Sequence, residues 1–368
     1  MIQQEYFGIN SINNIKEIIE KENYKNIFLV TGKKSYSLSG AKSKIENFFN
    51  DSHCNYFQFS DLDPNPQLES IWKGLEEFKN FNGDLIIGVG GGSPIDVAKA
   101  IKLSYKIETN FSIPLMAIPT TSGSGSEATS FIVYYDGKKK VSAGDPNITL
   151  PNYSISDPNL TLSLPKNIAG SSGLDALCQA TESYWSINSN LPSKEYSIKS
   201  IPLLLDNLMN ATNNLDIDSK NKVMMAANLA GKAINITKTT ACHSVAYPIT
   251  SYFNISHGHA VALTLGKMFE YNEKLSEEDC IDSRGINYVK NSLNDLKFLF
   301  NCKTGEEISE KVKNLMDDLG LETRLSNLGI SKKGIETIVK NGFTPERVKN
   351  NPRKLSEENL REILNSIY

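Results

Sequence analysis

Long apolar runs are missing from this 368-residue chain. None approaches the roughly 20 consecutive apolar residues that a helix needs to cross a bilayer. The amino terminus, MIQQEYFGIN, also lacks the charged-then-apolar order of a signal peptide. A cytoplasmic chain with no membrane partner is expected. A basic block is missing too: 39 Lys and Arg stand against 42 Asp and Glu, for a formal net charge of −3. That balance lacks the cationic footprint of a nucleic-acid-binding protein. Five cysteines, at 54, 178, 242, 280 and 302, form no CxxC pair. An odd, scattered set argues against a disulfide framework or a structural zinc knuckle and fits reduced thiols. Histidine is scarce, with four in all, yet His243, His257 and His259 fall in one short stretch. Imidazoles so clustered suggest a metal or proton-transfer site.

What is present divides into two unlike halves. The first alternates short β-type runs with amphipathic helical patterns, which is how a parallel-sheet α/β domain reads. Strands are predicted at 26–31, 55–59, 85–89 and 115–118, with helices at 12–20, 41–49, 67–78 and 94–103. FIVYYD, GKKK and VSAG at 131–144 read as a hairpin with the lysines in its turn. Beyond about residue 164 strand signals nearly vanish, and helices are predicted at 168–184, 193–208, 222–233 and 307–319. With no repeat or low-complexity linker, the expectation is an α/β domain over 1–162 and an all-helical domain over 163–368.

Two loops carry nucleotide chemistry. Leu85-Ile-Ile-Gly-Val-Gly90-Gly91-Gly92-Ser93-Pro94-Ile-Asp96 joins a strand through three glycines to a helix start. A helix N-terminus offers bare N–H groups and a positive dipole end to an anion, and glycine lets a pyrophosphate approach the backbone. The spacing is not the Rossmann GxGxxG. Pro119-Thr120-Thr121-Ser122-Gly123-Ser124-Gly125-Ser126-Glu127 follows the next predicted strand and supplies hydroxyls among glycines. Two such loops at consecutive strand ends favour a nucleotide site over two solvated turns.

A third constellation is metal-like. Asp175 and Gln179, four apart in a helical pattern, share one face. His243 and His257 lie fourteen apart across a segment expected to break at Pro248. Carboxylate and imidazole donors suit Fe²⁺ or Zn²⁺. Singly, an Asp in a helix more often caps or pairs, and a helix histidine more often makes a satisfied polar contact.

Together GGGSPIDVAKA at 90–100, PTTSGSGSEAT at 119–129, SDP at 156–158, GLDALCQATESYWS at 173–186, and His243 with SHGHAVALTLG at 256–266 resemble the iron-containing (group III) alcohol dehydrogenases. The resemblance runs from the first predicted strand to about residue 272. It implies a dehydroquinate synthase-like architecture: a dinucleotide-binding α/β domain, a helical metal- and substrate-binding domain, and a metal held in the cleft between them by an Asp and three His. Asp175, His243 and His257 occupy three of those ligand positions. Gln179 stands where the family usually has the remaining histidine, so Gln179 or water would be the fourth ligand. Tyr247 replaces a further histidine credited with relaying protons, which leaves His259 as the local imidazole able to take that part. The family often forms dimers, so a homodimer is expected.

Narrower likeness, in 173–190 and 230–266, is to the phosphonoacetaldehyde reductases, which make 2-hydroxyethylphosphonate. Lys238, Thr239 and Thr240, just before His243, would serve a phosphonate dianion, although a helix-end lysine and a cap explain them as well. Gly32 stands where NAD-preferring members often carry an acidic residue. With Lys33 and Lys34 beside it, room and charge for a 2′-phosphate imply NADP(H) over NAD(H). The expected activity is therefore metal-dependent reduction of a small aldehyde. Gly90, Gly91, Gly92, Ser93 and Asp96 would serve the pyrophosphate, and Thr120, Thr121 and Ser122 the nicotinamide end. The alternatives are a general short-chain alcohol or semialdehyde dehydrogenase, a lyase or glycerol-1-phosphate dehydrogenase relative, and a catalytically silent nucleotide-binding protein.

Overall fold

The structure, a computed structural model, describes residues 3–63, 65–214 and 216–368, with the side chain of Glu346 left aside. The chain forms two compact units, Met1–Leu164 and Pro165–Tyr368.

In the first unit the strands are β1 (Gln4–Phe7), β2 (Asn26–Thr31), β3 (Asn55–Phe59), β4 (Leu85–Gly90), β5 (Leu115–Pro119), β6 (Ile132–Asp136), β7 (Lys139–Ala143) and β8 (Tyr153–Ser156). Its helices are α1 (Asn14–Glu22), α2 (Ser35–Leu38), α3 (Ala41–Asp51), α4 (Leu68–Phe81) and α5 (Gly92–Thr109). Among the described residues, six strands make one parallel sheet in the order β1-β8-β5-β4-β2-β3. Alternation on β2 shows how the sheet is covered. Ile27 and Leu29 enter one core with Ile15 of α1 and Ile45 of α3, while Phe28 and Val30 enter another with Leu75 of α4 and Ile101 of α5. Burial on both faces explains the near-continuous apolar runs of β2, β4 and β5.

Two strands of this sheet carry no strand signal in the sequence. β1 (QEYF) lies at the sheet edge with most of its residues exposed, and β8 (YSIS) is buried but places Ser154 and Ser156 among its four residues. β6 and β7 form the separate antiparallel hairpin, with a tighter turn than GKKK implied, because Lys139 and Lys140 already pair in β7.

In the second unit the helices are α6 (Lys166–Trp185), α7 (Leu191–Asn213), α8 (Ile217–Thr237), α9 (Ala241–Phe253), α10 (His257–Glu273), α11 (Ile286–Leu299), α12 (Gly305–Asp318), α13 (Lys332–Asn341), α14 (Pro345–Val348) and α15 (Glu357–Ser366). Apart from an isolated bridge between Cys280 and Arg353, its regular structure among the described residues is helical. α6 is buried on nearly every side from Gly170 onward and packs against α7, α8 and α10. One expectation fails here. Pro248 lies inside α9, and the break comes later, at Asn254, whose left-handed backbone (φ 57) ends the helix. Packing of a largely buried helix outweighs the local cost of a proline. No helix of the described residues is long and apolar enough to cross a membrane.

Candidate functional site

The nucleotide candidates of the first unit sit on the loops that leave β2, β4 and β5. From β2 the chain steps outward to β3 and then returns to β4 on the other side, so the loops after β2 and β4 part at a topological switch point, where open α/β sheets bind ligands. Gly90 has φ +149, a conformation that L side chains rarely adopt. Gly91 caps α5, whose first residues are Gly92 and Ser93. The neighbouring loop closes over them: Thr120 N donates to Gly90 O at 2.8 Å, and a Cβ on Gly91 would lie 3.4 Å from Thr121 Oγ1. A Cβ on Gly92 would lie 3.1 Å from Ser124 Oγ. Thr120 and Ser122 are buried and Thr121 partly exposed. Gly32 is partly exposed, and Lys33 is exposed and pairs with Asp63 at 3.3 Å. Asp96 goes elsewhere than the expected cofactor contact. Its carboxylate accepts from Ser126 Oγ and from Val133 N, with Lys99 Nζ at 3.6 Å, so it ties α5 to the loop after β5 and to β6.

In the second unit, α6, α9 and α10 bring three donors together. Ligand atoms of Asp175, His243 and His257 all lie within 4.8 Å of one another. Asp175 is on the buried helix α6, and His243 is in the first turn of α9 with Nε2 3.3 Å from Asp175 Oδ1. His257 opens α10 directly after the Asn254 break, its ring centroid 5.5 Å from that of His243. Gln179 joins through its amide nitrogen, which donates to Asp175 Oδ2 at 3.2 Å.

Behind His243 stands Glu182, two turns after Asp175 on α6 and fully buried. Its Oε2 meets His243 Nδ1, and its Oε1 accepts from Thr240 N at 3.1 Å, Thr240 Oγ1 at 2.7 Å and Cys242 N at 2.9 Å. Burial raises the Glu182 pKa, but the His243 imidazole and these hydrogen bonds outweigh it and hold the carboxyl below its ordinary range. For His243 burial pushes the other way and is again outweighed: Glu182 and Asp175 carry its pKa up to about 9. Burial and the Glu182 charge keep the Cys178 and Cys242 thiols far above their ordinary range, so neither offers a thiolate. One carboxylate and two imidazoles, with no thiolate, form a donor set that fits a borderline divalent ion.

Two family models meet this chain. One, described as iron-containing alcohol dehydrogenase, matches residues 3–158, and the other, the C-terminal model of the Fe-containing alcohol dehydrogenase family, matches residues 169–368. The chain belongs to the iron-containing alcohol dehydrogenases. It is similar to the NADPH-dependent butanol dehydrogenase of Clostridium saccharobutylicum, 27% identical over 99% of this chain and 96% of that one. It is also similar to the phosphonoacetaldehyde reductase of Streptomyces viridochromogenes, 28% identical over 80% of this chain and 79% of that one. Among solved structures, an iron-containing alcohol dehydrogenase of Thermotoga maritima superposes with a TM-score of 0.86 at 26% identity, covering 100% of this chain and 98% of that one. Membership makes the chain an oxidoreductase of the alcohol–aldehyde class, with NAD(P) and a divalent metal as its cofactors.

Other candidates of this iron-containing alcohol dehydrogenase divide around the centre. Tyr247 stacks on His257, with ring centroids 6.0 Å apart and planes 25° apart. His259 is buried; its Nε2 lies 2.6 Å from the carbonyl of Glu322, and its backbone N donates to Ser171 Oγ at 3.1 Å. Burial pushes its pKa down against the raising effect of Glu322. Lys238 ends α8 exposed, with φ 60 and ψ 175, and Thr239 beside it is buried. Thr240 departs from the substrate-contact expectation because its hydroxyl is engaged twice: it donates to Glu182 and accepts from Trp185 Nε1 at 2.9 Å. Glu182 itself escaped sequence reasoning. Its only signal was its place seven residues after Asp175 on the same helix face.

Proposed function

We propose that this enzyme reduces phosphonoacetaldehyde to 2-hydroxyethylphosphonate, with NADPH as the preferred donor. The observation that carries the reading is the cation Lys238, exposed at the end of α8 five residues before His243, in a chain similar to a phosphonoacetaldehyde reductase over 80% of its length. Gly32, with Lys33 and Lys34 exposed next to it, supports the 2′-phosphate.

Bound cofactors supply a hydride from the nicotinamide and polarisation of the carbonyl oxygen by a divalent ion. Residues of the first unit would bind and orient the dinucleotide: the backbone of Gly91, Gly92 and Ser93 at the start of α5 holds the pyrophosphate, and Thr120, Thr121 and Ser122 set the nicotinamide end. In the second unit Asp175, His243 and His257 would hold the ion, Fe²⁺ or Zn²⁺, with Gln179 beside them. Lys238 would bind the phosphonate. Because a carbonyl only accepts, the His259 Nε2 facing Glu322 carries hydrogen. In the neutral ring its Nδ1 then carries the lone pair, so His259 would accept a hydrogen bond from, and orient, the water that gives a proton to the product oxygen.

A second reading, a general short-chain alcohol dehydrogenase, draws on the butanol dehydrogenase likeness across 99% of the chain. Steady-state oxidation of NADPH and NADH separates the two, measured with phosphonoacetaldehyde, succinic semialdehyde and butyraldehyde in Fe²⁺ or Zn²⁺. The phosphonate reading expects kcat/KM for phosphonoacetaldehyde at least about tenfold above that for butyraldehyde, the size of one good charged contact. Equal values, or a preference for butyraldehyde, refute it. A preference for NADH refutes the cofactor assignment.

A further inference from the structure

We infer that Glu182 is a positioning residue for the metal centre, fixing the tautomer and direction of the His243 imidazole so that Nε2 presents its lone pair beside Asp175. The inference rests on reading Asp175, His243 and His257 as the metal-holding set.

The geometry makes the two carboxylate oxygens unequal. Oε1 receives backbone N–H from Thr240 and Cys242 and the hydroxyl of Thr240, all donors at the start of α9, while Oε2 meets His243 Nδ1. A carboxylate held by this many donors is an acceptor only. Nδ1 must therefore carry the hydrogen, and in the neutral ring Nε2 carries the lone pair. Nε2 is the nitrogen 3.3 Å from Asp175 Oδ1, inside the donor cluster. The same carboxylate thus anchors the turn that carries His243 and chooses which nitrogen can bind an ion. A carboxylate behind a ligating imidazole also makes it a stronger donor, in a centre where Gln179 brings a neutral amide.

Glutamine at 182 probes the tautomer specifically. An amide has one accepting end and one donating end. Three donors at the start of α9 select the oxygen for themselves, which leaves the NH₂ facing His243 Nδ1. Nδ1 then becomes the acceptor, and the hydrogen moves to Nε2, where it blocks the ion. Thr240→Val is the complementary probe. It removes a hydroxyl that donates to Glu182 and accepts from Trp185, and leaves the Glu182–His243 pair in place.

The experiment titrates Co²⁺ into metal-free full-length wild type, E182Q, E182D and T240V, following the visible d–d spectrum and the melting temperature of each. A Co²⁺ dissociation constant weakened about 10- to 100-fold in E182Q, with a changed spectrum, supports the inference when T240V lowers the melting temperature and binds Co²⁺ like wild type. Wild-type affinity and spectrum in E182Q overturn it, and so does equal weakening in T240V, which would make Glu182 a helix cap only. Should E182Q not fold, E182D decides: its carboxylate falls one carbon short of His243, so undiminished affinity overturns the inference. Wild type that binds no Co²⁺ overturns the reading of the centre and the inference with it, and is distinguishable from the other outcomes.

Discussion

A Cβ added to Gly258 would lie 2.0 Å from the carbonyl oxygen of Ser171 and 2.9 Å from Cβ of Asp175. The first turn of α10 therefore rests on the backbone of α6, and this contact delivers His257 to Asp175. Gly258→Ala exchanges a poor helix former for a good one, worth about 1 kcal/mol in an exposed helix. Here the clash is with backbone, which cannot rotate away, so overpacking of about 1–3 kcal/mol decides the sign. The variant should melt lower than wild type and bind Co²⁺ or Zn²⁺ at least about tenfold more weakly. Unchanged melting and binding would show that another contact seats α10.

Gln179 occupies the position, one turn after Asp175, where the family resemblance leads to histidine. Its amide nitrogen donates to Asp175 Oδ2 at 3.2 Å, so the residue turns its donor end to that carboxylate. An imidazole at this position adds a borderline-soft nitrogen donor. Gln179→His should tighten Zn²⁺ about tenfold or more in a competition titration against a chromophoric chelator. No change, or weaker binding, would mark the amide as adapted to this centre.

How far the sequence reveals this molecule depends on which physical signal each part leaves. β2, β4 and β5 are legible because burial on both faces demands apolar runs, and α4 because Ile71, Leu75 and Phe78 repeat at helical spacing toward one core. β1 and β8 leave no such trace: one is an exposed edge, and the other hides Ser154 and Ser156 in the sheet. Scarcity makes His243 and His257 conspicuous among four histidines, whereas Glu182 is one of 42 acidic residues and looks like any solvated helix position. Only the contacts at the start of α9 single it out. Pro248 misleads for the opposite reason, since a strong local signal is overridden by packing.

Lys238 pairs a charge with an uncommon backbone. Its φ of 60 and ψ of 175 place it in a region that suits glycine, at a cost of about 1–3 kcal/mol for other residues. Two substitutions separate side chain from backbone. Lys238→Ala should raise KM for phosphonoacetaldehyde at least about tenfold while changing KM for butyraldehyde about twofold or less, the loss of a charged contact. Lys238→Gly should show the same KM pattern and melt higher than the alanine variant, because it relieves the strain. Equal KM effects on the two aldehydes would remove Lys238 from the substrate site.

Lys102 offers a test of stability remote from the chemistry. It lies on α5 with 0% exposure, and its Nζ donates to Asn152 Oδ1 at 2.8 Å. Burial lowers its pKa from 10.5 to about 8. A lysine whose folded pKa is depressed costs stability wherever the unfolded chain holds the proton more tightly. The full cost, about 3 kcal/mol at 1.36 kcal/mol per unit, applies below pH 8. It falls away as pH rises toward 10.5, because across that window the unfolded state binds more protons than the folded one. Lys102→Met keeps the length and the apolar packing without the charge. Asn152 Oδ1 is not stranded by the change, since Leu115 N also donates to it at 3.0 Å. The methionine variant should therefore melt above wild type at pH 7, with the gap shrinking by pH 10. A gap that stays constant with pH would show that Lys102 folds with its ordinary affinity for the proton, and a variant less stable at pH 7 would show that the bond to Asn152 outweighs the cost of burying the charge.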